Sequence, residues 1–226
     1  MEEKIEKIET VKTEGSKPLL RLGETAPDFE AVTTQGRIKL SGFTGNWVIL
    51  FSHPADFTPV CTTEFMAFAK INEELAKRNV KLIGLSIDSV FSHIAWITRI
   101  KEKLGVQIPF PVIADLDMKV ASLFRMIHPG ESTTSTVRCV FVIDPEMKLR
   151  AMIYYPLNLG RNMHEILRLI DALQTADKHK VATPANWRPG EDVIVPPPPT
   201  QEAAEKRLLE GYECVDWFLC KKKLQA

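Results

Sequence analysis

The chain is 226 residues long and carries 29 Lys and Arg against 29 Asp and Glu, a formal net charge of zero. Apolar residues make up 45% and charged residues 26%, which excludes bulk disorder and gives no electrostatic reason to expect nucleic acid or an anionic membrane as partner. No run of about 18 apolar residues is present, which excludes a spanning helix, and an N-terminus without an apolar leader makes the cytoplasm the expected location.

Residues 1–18 hold nine charged side chains, with Ile5, Ile8 and Val11 at helical spacing, and read as a flexible arm or a loosely attached short helix. From Asn46 onward the periodicity is strong. Trp47 to Phe51 is a continuous apolar run, as in a strand covered on both faces. Phe65, Phe68, Ala69, Ile71, Leu75 and Ala76 then recur at helical spacing, which predicts a helix from near Pro59 to about Arg78. Leu82 to Ile87 reads as a buried strand, Phe91 to Leu104 as a helix, Val112 to Ala114 as a short strand and Leu116 to Phe124 as a third helix. Two strands, Val137 to Ile143 and Leu149 to Tyr155, are joined by a turn at Asp144-Pro145. Met163 to Ala176 closes the series as an amphipathic helix. The order β-α-β-α-β-α-β-β-α predicts an α/β protein with a thioredoxin-like sheet, parallel at first and antiparallel at its end, over residues 19–180.

After Val181 the composition changes, and residues 181–226 read as a C-terminal extension. Six of the fifteen prolines fall within residues 184–199, ending in four consecutive prolines that predict extended polyproline backbone. Thr200 is placed to cap a short helix reaching Glu210. The last segment carries Cys214, Trp217, Phe218 and Cys220.

The four cysteines, Cys61, Cys139, Cys214 and Cys220, are too few and too unevenly spaced for a disulfide scaffold. They form no Cys-x-x-Cys pair, and the five histidines do not cluster beside them in sequence, so no zinc site is predicted. Cys61 stands apart. A strand delivers the chain to His53, and a loop with two prolines leads into a helix. There Thr58 suits the N-cap and Pro59 the first helical position. Cys61 therefore falls in the first turn, near unpaired N–H groups and the positive end of the helix dipole. Such sites lower a cysteine pKa from about 8.5 to between roughly 3.5 and 7.5. Thr58, three residues earlier, is close enough to touch the sulfur or a bound oxygen.

The pattern Pro54-x-x-x-Thr58-x-x-Cys61, with Glu64 three residues further on, resembles the peroxidatic motif of peroxiredoxins, the thiol-specific antioxidant family. Phe51-Ser-His-Pro54, Lys81 to Ser89, Phe110-Pro-Val-Ile113, Thr136-Val-Arg138, Tyr155-Pro156, Gly160-Arg-Asn162 and Val181-Ala-Thr-Pro184 are similar to the same family in the same order. The last two point to its long-tailed branch, with the one-cysteine and archaeal peroxiredoxins. The resemblance spans about residues 20–220. It implies a peroxidase that reduces hydrogen peroxide and organic hydroperoxides through a sulfenic acid on Cys61. Thr58 and Arg138 would hold the peroxide and stabilise the leaving oxygen, and Pro54 would shield the sulfur. Glu64 would orient an arginine, with Arg161 as its partner. His53 either bonds the sulfur or serves as a structural loop residue. Cys139 reads as a buried, inert thiol. No metal and no cofactor is implied.

Cys214 and Cys220 are the candidate resolving cysteines. If residues 212–220 were helical, their sulfurs would lie about 9 Å apart and a mutual disulfide would require unwinding. Tyr212 to Cys220 resembles the cysteine-bearing tail of archaeal members, where a neighbouring subunit's tail cysteine acts. On that ground Cys220 is favoured, with Cys214 assisting or substituting; the alternative is a small thiol or an external protein. A thioredoxin-like or other thiol donor would then restore the enzyme. The polyproline segment and aromatic tail are long for covering their own core, which fits a homodimer with exchanged tails, and the resemblance adds rings of such dimers up to a decamer. A serine-based lipase element is not expected, because Gly45-Asn46-Trp47-Val48 lacks a serine. A chaperone-like oligomer remains the alternative from a different class.

Overall fold

The computed structural model describes residues 20–224. Ten strands and five α-helices occur among them. β1 (Glu30–Thr33), β2 (Gly36–Lys39), β3 (Trp47–Ser52), α1 (Pro59–Lys77), β4 (Val80–Ser86), α2 (Val90–Leu104), β5 (Val112–Ala114) and α3 (Lys119–Leu123) come first. They are followed by β6 (Arg138–Ile143), β7 (Leu149–Tyr155), α4 (Met163–His179), β8 (Val193–Val195), α5 (Gln201–Arg207), β9 (Glu213–Asp216) and β10 (Leu219–Lys222). Seven strands form one sheet in the order β2-β1-β5-β4-β3-β6-β7. The three central strands β5, β4 and β3 run parallel, while β6, β7 and the β1–β2 hairpin are antiparallel additions. This is the expected thioredoxin-like α/β architecture.

The central strands are buried on both faces, as their unbroken apolar runs require. One face packs Ile49, Phe51 and Leu82 against Phe65, Phe68 and Leu75 of α1, Trp96 of α2 and Ile170 of α4. The other packs Val48, Leu50, Ile83 and Phe141 against Phe124 and the β1–β2 side. Gly84 of β4 is where a side chain has no room: a Cβ there would stand 3.1 Å from the Phe51 ring, and that ring stacks on Phe68 at 4.1 Å.

Several elements differ from expectation. The β1–β2 hairpin lies in residues given no assignment, since four-residue strands carry too little alternation to register. α3 is shorter, because Asp115 accepts from the N–H groups of Val120 and Ala121 and Met118 adopts φ 55°, so residues 115–118 form a turn. α4 continues to His179, with Lys178 and His179 complementing its C-terminal end. The tail is not helical. β9 and β10 form a hairpin, and β10 also pairs with β8 to give a three-stranded sheet in which β10 is central. Residues Cys214 and Cys220 face each other across the hairpin, 4.0 Å between Cα atoms, and are joined by a disulfide. The strand pairing with Val193 and Val195 sets the tail as a hairpin, so the helical case considered from the sequence does not apply and the mutual disulfide needs no unwinding. Part of the extension covers its own chain: Trp187 and Val193 pack on Ala172 of α4. The expectation for residues 1–18 lies outside the described residues.

Candidate active site

β3 lies between β4 and β6, the point where the sheet order changes direction, and an α/β sheet opens a crevice at the carboxyl end of such a strand. Ser52, the last residue of β3, donates its hydroxyl to the Val137 carbonyl at 2.6 Å and accepts from the Cys139 N–H at 3.1 Å. Because β6 runs antiparallel to β3, its first residue, Arg138, is set beside the point where β3 passes into the loop before α1. Thr58 holds the cap position with extended backbone. Its hydroxyl is not a helix cap, however: it donates back to the Ala55 carbonyl at 2.9 Å. Pro54 is half-buried in the same loop.

Cys61 is buried in the first turn of α1 as a free thiol. Arg138 Nη1 lies 3.3 Å from its Sγ and 2.7 Å from Glu64 Oε2, while Nε and Nη2 donate to the Leu157 carbonyl at 2.9 and 2.7 Å. Glu64, one turn after Cys61, also receives Arg161. The Arg161 backbone N–H and Nε reach Oε1 at 2.9 and 2.7 Å, and Nη2 reaches Oε2 at 2.7 Å. Arg161 Nη1 closes on the carbonyls of Ser52 and Cys139, and its guanidinium lies 5.2 and 5.3 Å from the Phe51 and Phe68 ring centres. Burial alone would raise the Glu64 pKa, but the two arginines hold it below the ordinary value. Two buried guanidinium cations thus share one carboxylate. One positive charge is left over, and Cys61 Sγ is the group it faces.

His53 does not occupy the sulfur-binding position considered for it. Its Nε2 is 2.9 Å from Asp56 Oδ1, its Nδ1 is buried with no hydrogen-bond partner, and its ring stacks on Trp96. His93 Nδ1 is 2.8 Å from the other Asp56 oxygen, and His93 Nε2 is 3.1 Å from the Ile113 carbonyl. Among the described residues these three side chains are close enough to surround a metal ion, their ligand atoms lying within 4.8 Å of one another. Both histidines are already hydrogen-bonded to Asp56 at about the ideal length, and we read the group as a hydrogen-bonded brace. Burial would raise the Asp56 pKa, but the hydrogen bonds from the two histidine rings push it far below the carboxylate range.

Burial lowers the His53 pKa, outweighing its pairing with Asp56. A depressed histidine is neutral when folded, so the unfolded chain takes up its proton first as pH falls. Stability is therefore expected to drop from about pH 6.5 downward, levelling once the folded form titrates as well. Denaturant titrations between pH 7 and 5 should show this slope in the unmodified protein and a flatter one in His53→Gln; equal slopes would refute it.

Cys139 lies in β6 with its thiol pushed up to about 12 by burial, against a smaller opposing effect of Ser52 and Arg161. It is a packing residue at neutral pH. Cys220 is buried on the central strand of the small sheet, and Cys214 is half-buried on its edge strand. The apolar residues around them, Val215, Trp217 and Phe218, are exposed. Sequence reading overlooked Asp56, His93, Ser52 and Thr136, whose hydroxyl donates to the His53 carbonyl. The one readable signal is a polar Ser52 ending an otherwise apolar strand.

A buried cysteine at a helix start, faced by a surplus guanidinium on a thioredoxin-like sheet, is an arrangement that can hold a thiolate. The chain belongs to the AhpC/TSA family, which it matches over residues 22–152, and residues 172–211 match the C-terminal domain of 1-Cys peroxiredoxin. It is 64% identical over 217 residues to a peroxiredoxin of Aquifex aeolicus, covering 91% of this chain and 98% of that one. A Methanosarcina mazei peroxiredoxin is 58% identical over 212 residues, covering 89% and 97%. Among solved structures, yeast mitochondrial 1-Cys peroxiredoxin superposes with a TM-score of 0.82 at 46% identity, covering 91% of this chain and all of that one. Plasmodium vivax 2-Cys peroxiredoxin gives 0.71 at 31%, covering 80% and 94%. The protein is a peroxidase. No helix among the described residues is long and apolar enough to cross a membrane.

Proposed function

We propose that the protein reduces hydrogen peroxide and organic hydroperoxides at Cys61, with Arg138 and Thr58 as the other catalytic residues. The observation that carries this is the 3.3 Å contact between Arg138 Nη1 and Cys61 Sγ. Coulomb attraction from the surplus guanidinium charge, with the unpaired N–H groups of the first turn, stabilises a thiolate. The thiolate attacks one peroxide oxygen; the O–O bond breaks, a sulfenic acid forms, and the other oxygen leaves as alcohol or water. Arg138 donates to the oxygen that gains charge. Thr58, its own proton committed to Ala55, presents lone pairs to the peroxide O–H and so aligns it. Glu64 and Arg161 hold Arg138 in place, and Pro54 screens the sulfur.

Cys220 of a second copy attacks the sulfenic sulfur, releasing water and forming a disulfide with Cys61. Cys214 then attacks Cys220, freeing Cys61 and leaving the Cys214–Cys220 disulfide for a thioredoxin-like or other thiol donor to reduce. The hairpin supports this reading, because it holds the two tail sulfurs in bonding register. β7 ends the large sheet; Gly23 and Glu24 pair with Leu149 at its start, and beyond that point its outer edge meets no other strand among the described residues and carries no proline, a surface suited to isologous pairing in a homodimer. Rings of such dimers, a decamer among them, and a cytoplasmic setting complete the proposal.

The solved structure of the yeast relative concerns thiol resolution through glutathione and thioredoxin systems, so an external resolving thiol is the second reading. Non-reducing mass spectrometry after one equivalent of peroxide tests the choice. An early Cys61–Cys220 link between subunits, replaced by Cys214–Cys220, is expected. A sulfenic Cys61 with both tail thiols free would favour the external thiol.

A further inference from the structure

Cys61 is fully buried, as is Cys220. Their sulfurs meet only if the first turn of α1 opens and the loop before it yields. That loop is held by more than its own backbone. Asp56, five residues before Cys61, accepts from His53 within the loop and from His93 of α2, and His93 is itself tied to Ile113 of β5. The Asp56 N–H donates to Asp88 Oδ2 at 3.1 Å, and the Ser86 hydroxyl fixes that carboxylate at 2.7 Å. Next to it Phe57 sits at φ 56°, a left-handed conformation that costs a residue with a large side chain and persists only where its neighbours enforce it. A second tie runs from α2 to the turn: Trp96 Nε1 donates to the Thr62 hydroxyl at 3.3 Å. None of these groups touches Cys61 in the reaction described above.

We propose that Asp56 and His93 are positioning residues that set how long the Cys61 sulfenic acid stays in its pocket, and hence how it divides between two fates. This rests on the reading that a second thiol resolves Cys61. In one fate the turn opens and the sulfenic sulfur bonds to a thiol sulfur: the S–O bond breaks, and the oxygen leaves as water with the thiol proton. In the other the turn stays closed and a second hydroperoxide transfers an oxygen to the same sulfur. That sulfur is oxidised to a sulfinic acid and the peroxide is reduced to alcohol or water. A tight brace favours the second fate, because the closed pocket is also the one that binds peroxide. Breaking the brace releases the backbone strain at Phe57 and favours the first.

The test compares His93→Phe, which keeps a ring but donates no hydrogen bond, with His93→Gln, which restores one donor, and with Asp56→Asn. Leu40→Ala, in the core on the other face of the sheet, controls for lost stability. Each protein receives graded hydrogen peroxide, and mass spectrometry reads the ratio of sulfinic to disulfide-linked Cys61. A fall in that ratio of about three- to tenfold is expected for His93→Phe and Asp56→Asn, the equilibrium worth of one net hydrogen bond. His93→Gln should lie between them and the unmodified protein, and Leu40→Ala should leave the ratio unchanged. An unchanged or higher ratio in His93→Phe and Asp56→Asn overturns the proposal, as does an equal shift in Leu40→Ala. If the unmodified protein forms no disulfide from Cys61 to its tail, tail resolution itself fails. The brace is then read from the competition between sulfinic acid and a mixed disulfide with added glutathione, where the same shift is expected and its absence refutes the brace.

Discussion

Cys61→Ser is expected to abolish peroxide turnover, with a loss of at least about 10³-fold, while the fold stays intact. A serine hydroxyl is not ionised at neutral pH and is a far weaker nucleophile toward a peroxide oxygen than a thiolate. The substitution is nearly isosteric in a buried site, and the neighbouring Arg138 Nη1 can donate to the new oxygen as it does to sulfur. The unfolding midpoint should therefore move by only a few degrees, the equivalent of about 1 kcal/mol or less. Peroxide consumption and thermal unfolding of the variant read the two quantities separately. The variant also isolates the chaperone-like alternative, since protection of an unfolding client would survive loss of the thiol. Substantial turnover without Cys61 would move the reaction elsewhere in the chain.

The next largest effect is expected at Arg138. Arg138→Lys keeps a positive charge, but an ammonium cannot fork between Glu64, the Leu157 carbonyl and Cys61 as the guanidinium does. Glu64 keeps its paired contacts with Arg161 in the variant, so no buried carboxylate is abandoned and the fold should tolerate the change. The rate of Cys61 oxidation by hydrogen peroxide should fall by about 10²- to 10³-fold, the usual cost of removing a donor aimed at developing charge. Alkylation by iodoacetamide separates the two jobs given to this residue. It needs the thiolate but no stabilised leaving oxygen, so it should slow by only about tenfold if Arg138 acts on both sulfur and peroxide. Equal losses in the two reactions would show that the guanidinium serves the sulfur alone.

Legibility in the sequence followed the range of the interactions. β3, β4 and β6 could be read directly, because strands buried on both faces are nearly all apolar, and α1 and α4 because their apolar faces repeat. The four-residue β1 and β2 were not, since their hairpin gains its order from pairing with β5. Cys61, Glu64, Arg138 and Arg161 could be named from their motifs, and the structure gathers them into one cluster; their spacing in the chain gives no hint of the distances. Asp56 and His93 were overlooked because their meeting depends on how α2 packs on the loop, which no local pattern encodes. The conformation of the tail was left open for a related reason. Tyr212 to Cys220 read alone permits a helix, whereas β8, some twenty residues earlier, supplies the strand that β10 joins.

The contacts around Cys61 also bear on the order in which the protein becomes reactive during synthesis. Arg138 is 77 residues beyond Cys61, and Arg161 is 97 beyond Glu64. A ribosome that has released only the first hundred residues has therefore made Cys61 but not the two cations gathered beside it. Contacts between residues so far apart in sequence form late in folding. On the function proposed above, the emerging polypeptide carries an unremarkable thiol until most of its length is out, and the sulfur gains its reactivity only in a domain already complete enough to use it.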